Sequence, residues 1–153
     1  MAYQKLQVER ALAVIASDTI NIPNVAGAST SGTTDGADAG KLVDSDAAFT
    51  SNLLNYIVYN TTDGSVATVT AVDDENTLTL SADIMPTAKD YVIYSDANTG
   101  CVLYSGSGGD VKVLTAGNDE VTFTGVAAGA FIPVQVKRVF ATPTPPTDIV
   151  ALW

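Results

Sequence analysis

Histidine is absent, and Cys101 is the only cysteine among the 153 residues. Without an imidazole, His-based acid–base work, Ser-His-Asp triads and most zinc sites are excluded. One thiol cannot close an intrachain disulfide. The residues around it, GCVLY, are apolar and carry no base to lower its pKa, so Cys101 reads as a buried, inert side chain. Basic residues are also scarce: seven Lys and Arg face seventeen acids, for a net charge of −10. Phosphate backbones and anionic lipid surfaces repel such a chain, so neither nucleic acid nor a membrane is expected as a partner. Long apolar runs are missing. The run from Ala11 to Ala16 is shorter than the ~7–15 residues of a secretory core and follows Glu9, and no stretch approaches the ~20 residues of a membrane helix.

What is present favours strands. Val, Ala, Leu, Ile and Thr dominate, and the branched side chains suit a pleated surface. Turn residues recur at short intervals, as in an all-β sandwich or barrel. Val14 to Ile22 reads as a first element with a turn at Ser17-Asp18, ended by Pro23. Residues 26–40 are small, polar or glycine and read as a linker. Then come KLVD, a helical turn over Ala47 to Leu54 with Phe49, Leu53 and Leu54 on one face, and the strands YIVYN, SVATVTAV, TLTLS and YVIY. Thr62-Asp63-Gly64 is the hairpin turn of this set. A last set follows: Cys101 to Tyr104, Asp110 to Thr115, Glu120 to Thr124, Ile132 to Ala141 and Asp148 to Trp153. In the long strand, strict alternation puts Val134, Val136 and Arg138 on one face and Gln135, Lys137 and Val139 on the other.

Charge divides the chain in the same places. Residues 27–95 hold ten acids against Lys41 and Lys89, a net of −8. The expected organisation is a host domain made of residues 1–26 and 96–153, an antiparallel β-sandwich or barrel. An acidic, small-barrel-like module at 27–95 interrupts it, with 27–40 as its linker. Insertions are tolerated at loop tips where both ends of the insert meet.

Few residues offer chemistry. The pairs Asp44 with Asp46 and Asp73 with Asp74 lie next to each other at turns, where carboxylates are solvated and do not face one another across a cleft. The loops DSD and DDEN lack the spacing of a calcium loop. The glycine-rich SGSGGD at 105–110 runs into a strand, not a helix start, so it is a turn and not a phosphate loop. Asn60-Thr61-Thr62 matches the glycosylation sequon by coincidence. Tyr56, Tyr59, Tyr91 and Tyr94 would serve a carbohydrate-binding platform only if exposed on one face. No catalytic, cofactor or metal residue is expected.

The stretch CVLYSGSGGDVKVLTAGNDEVTFTGVAAGAFIPVQVKRVFATPTPPTDIVALW, with SDTINIPN near the start, resembles the head-spike base proteins of marine tailed phages and of gene transfer agents. The resemblance covers residues 1–24 and 98–153. In that family the NIPN segment is soon followed by GCVLY. Here residues 27–95 intervene, and they resemble β modules of phage tail and fibre proteins. The resemblance implies a non-enzymatic virion structural protein: an oligomeric base or decoration protein on the capsid exterior that anchors a head spike or fibre. Its expected partners are copies of itself, as a trimer or pentamer, and a major capsid or spike/fibre protein. A tail or adaptor component and a carbohydrate-binding module are the other readings. The apolar end, Asp148 to Trp153, is expected to be a paired strand, with Val150, Leu152 and Trp153 as the candidate oligomer interface or, for Trp153, as closure of the domain's own core.

Overall fold

The computed structural model describes residues 8–143 and 145–153. Strand β1 (Ala11–Ala13) comes first. It is followed by β2 (Ala28–Thr33), β3 (Lys41–Val43), β4 (Ile57–Asn60), β5 (Ser65–Val72), β6 (Thr77–Leu80) and β7 (Asp90–Tyr94). Then come β8 (Cys101–Ser105), β9 (Gly109–Thr115), β10 (Glu120–Val126), β11 (Ala130–Val139) and β12 (Ile149–Leu152). The chain is all-β and antiparallel, and forms two compact units: one of residues 1–25 with 98–153, the other of 26–97.

The first unit is a six-stranded sheet in the order β1-β12-β8-β11-β9-β10. Its inner face carries Leu103, Val111, Val113, Val136 and Ala151, all fully buried. Among the described residues of this unit, the sheet itself and the segment after β1 cover that face, so the sheet curls around its own core. Bulges supply the bend. Between Ile132 and Val136, β11 runs four residues against two of β8, and it shifts again between Val136 and Arg138 against β9. The second shift breaks strict alternation: Val136 and Val139 both face the core, while Arg138 does not. The assignment of Val139 to the face opposite Val136 is corrected accordingly. Where the chain leaves this unit and returns, Asn98 donates through its backbone N–H and its Nδ2 to Ile22 O (2.9 and 2.8 Å), so the two ends of the middle unit start from one point.

Before that point, the expected element at Val14 to Ile22 is no strand. The strand lies earlier, at Ala11–Ala13, and the Ser17 hydroxyl accepts the amides of Thr19 and Ile20 in a side-chain-stabilised turn.

The second unit is a sheet in the order β2-β7-β4-β5-β6-β3. Its corner strand is β5: residues 65–68 pair with β4, and 69–72 pair with β6 after a register shift. No closed barrel forms among the described residues, although the amides of Asp35 and Gly36 both reach Val43 O and bring the end of β2 beside β3. The linker reading of 27–40 is corrected here. Ala28–Thr33 is a strand paired along β7, because small and polar side chains suit a sheet edge as well as a loop. The helical turn shortens to a 3-10 turn at Ser51–Leu53. Phe49 and Leu53 enter the core, while Leu54 stays 48% exposed.

One buried polar contact fixes this unit. Tyr91 Oη donates to Asp44 Oδ2 at 2.7 Å, and Asp44 Oδ1 accepts the amide of Asp46. Burial, and then the carboxylate, push the Tyr91 hydroxyl well above its ordinary range, which keeps it a donor. Gly32 lies against both groups, and a Cβ there would collide with them. Tyr91→Phe leaves a buried carboxylate oxygen unpaired, and is expected to cost about 1–3 kcal/mol. Gly32→Ala overpacks the same contact and is expected to cost a similar ~1–3 kcal/mol. Urea denaturation of the full chain checks both, and unchanged midpoints would contradict the assignment.

Candidate functional site: the outer face of the first sheet

Alternation gives the first sheet a second face, and its composition is unusual for so acidic a chain. Register aligns Ala13, Val150, Tyr104 and Phe131 in one row across β1, β12, β8 and β11. A parallel row runs through Ala11, Leu152 and Val102. None of these side chains is charged. Tyr104 and Phe131 meet edge to face, with ring centroids 5.5 Å apart, and Phe131 is 58% exposed. An aromatic pair so placed covers area at low entropic cost, as at protein interfaces.

The bulge in β11 opens a cleft in this face. It holds about 250 Å³ and is lined by Val102, Phe131, Pro133, Val134 and Gln135. Proline is tolerated there because a bulge frees it from the ladder. The volume falls below the ~300–1,000 Å³ of small-molecule sites, and suits one large side chain.

The three residues singled out at the chain end separate. Leu152 and Val150 lie on the outer face beside Tyr104 and Val102. Trp153 lies on the other side, packed against the core of its own unit, and its backbone pairs with Arg10 in both directions. Phe131 and Tyr104 were not singled out from the sequence. The missed signal was the GAFIP segment, where an aromatic precedes a bulging proline.

The other polar candidates serve the fold. Asp73 Oδ2 accepts from Lys41 Nζ (2.9 Å) and Thr79, which hold its carboxyl below the ordinary range. Lys89 does the same for Asp63 at 2.9 Å. Asp74 accepts the amide of Asn76. Among the described residues, no three His, Cys, Asp or Glu side chains gather as metal ligands would. Asn60 of the sequon is fully buried, its amide group bonded to Asp63 and Ile84 O. The tyrosine platform is not assembled, since Tyr59, Tyr91 and Tyr94 are buried.

Cys101 is 1% exposed, and burial pushes its thiol up to about 12. The folded chain is therefore expected to resist iodoacetamide at pH 8, and to react once urea unfolds the first unit. Stoichiometric labelling of the native protein would contradict this burial.

Comparison of the chain with protein-family models, with curated proteins and with solved structures found no match.

Proposed function

We propose that this chain is a non-enzymatic structural protein of a tailed-phage-like particle, built to occupy a symmetric assembly on the capsid exterior as the base of a spike or fibre. The virion reading is supported by the resemblance of residues 1–24 and 98–153 to head-spike base proteins. The observation that carries the assembly role is the pair of uncharged rows on the outer face, centred on Val150, Tyr104 and Phe131. Two copies of a chain with net charge −10 repel one another wherever acids are desolvated. They meet at least cost where the surface is neutral and apolar. The cleft beside Phe131 accepts a side chain from the facing copy, the arrangement of an interface anchor.

The mass of the purified full chain in solution tests this. A homo-oligomer of defined mass is expected from light scattering behind gel filtration. Phe131→Asp places a charge in the middle of the face without touching the core. It should lower the mass of the assembly, leaving only contacts made elsewhere on the chain, while thermal stability changes by only about 0.5 kcal/mol, as for a surface substitution. In particle preparations, antibody against the chain should label the outside of the shell. A wild-type monomer at high micromolar concentration, or an unchanged mass for Phe131→Asp, would sink the assembly role.

A further inference from the structure

A second surface is prepared for self-recognition, and it is an edge, not a face. The last strand of the first sheet is β10, with sequence EVTFTGV, and among the described residues no strand lies on its far side. Proteins usually blunt such edges with lysine, proline or brevity. The opposite edge, β1, has three residues, whereas β10 has seven. Its only charge is Glu120 at the start, which pairs with Lys112 at 3.0 Å. The rest of the regular stretch, Val121 to Thr124, is β-branched or aromatic.

The ladder fixes which groups point outward. Thr115 donates to Asp119 O at 2.9 Å, so these two form a hydrogen-bonded pair, and the register continues with Val121 opposite Val113 and Phe123 opposite Val111. Bonded and unbonded positions alternate in an antiparallel pair. The backbone groups of Val121 and Phe123 are therefore used by β9, and those of Glu120, Thr122 and Thr124 face away from the sheet. On the inner face, Val121 is 39% exposed at the rim of the core, while Phe123 packs against that core. A further strand would cover Val121 and lengthen the same core.

We infer that the missing strand is β10 of a second copy, paired antiparallel about a two-fold axis through Thr122. In that register Thr122 faces Thr122 of the second copy, and the two exchange both backbone hydrogen bonds. Glu120 faces Thr124, so the two acids are not opposed. Val121 faces Phe123 in each half, a β-branched–aromatic pair of the kind that stabilises sheets. Any other antiparallel register loses one of these: centring on Val121 leaves Phe123 facing the far side of Asp119, and centring on Phe123 runs into the bulge between Phe123 and Val126. The contact is isologous, so it adds a two-fold to whatever the outer face builds. It does not rest on the virion reading.

Cysteine cross-linking in the full chain tests the inference, because Cys101 is buried. Hydrogen-bonded partners lie about 5.5 Å apart between Cα atoms, within reach of a short bifunctional thiol reagent such as dibromobimane. Thr122→Cys should give a covalent dimer of twice the chain mass with that reagent. Thr124→Cys should not, since its own copy lies ~14 Å along the partner strand. Mixing Glu120→Cys with Thr124→Cys protein should give the mixed dimer. No cross-link at 122, or equal cross-linking at 122 and 124, would overturn the proposal. Adding Phe131→Asp to Thr122→Cys separates the two surfaces. Cross-linking should persist there even when the assembly through the outer face is lost.

Discussion

Each unit of this protein has one sheet and one core, and the sheet must cover that core with itself. The constraint governs everything else. A flat sheet of six strands leaves its inner face wet, so the strands curl, and curling requires places where the ladder slips. In the first unit those places are the bulges of β11 around Val136. In the second, β5 changes partner midway. The fully buried Leu103, Val111, Val113, Leu78 and Ile93 are the result.

The same slips create the surface features. The first slip in β11, between Ile132 and Val136, releases Pro133 from the ladder and opens the cleft beside Phe131, and the second, between Val136 and Arg138, lets Val136 and Val139 share the core. The shift that ends regular pairing at Phe123 confines the usable edge of β10 to its first residues. Core and candidate interfaces thus both follow from slips in the ladder. Acidity complements this. In the middle unit the only two bases, Lys41 and Lys89, are both paired with aspartates, and the buried Asp44 is held by Tyr91 instead of by a base.

Much of the strand content was legible because alternation and turn chemistry are local. SVATVTAV and TLTL alternate, Asp63-Gly64 turns with Gly64 at φ 71°, and both appear where the pattern puts them. ASTSGT was read as linker because its edge position is a tertiary fact. The segment before Pro23 was read as an element with a turn at Ser17-Asp18; the turn is there, but Val14, Ala16 and Ile22 pack at the core without forming a strand. Tyr59, Tyr91 and Tyr94 could serve binding only if exposed, and the core takes them, since aromatics bury more area than the neighbouring valines.

The sequence alone determined the lack of imidazole and of an intrachain disulfide, the all-β class and the antiparallel pairing of short neighbouring strands. Those follow from residue types and from period-two alternation, which need no distant partner. Tertiary structure alone decided which side of each strand is inside. It sent Trp153 to the core and Val150 and Leu152 outward, and it set Tyr104 beside Phe131 from strands more than twenty residues apart. The physical reason is register: side-chain direction reverses with every residue, so one bulge in β11 reassigns a face that no local pattern could fix.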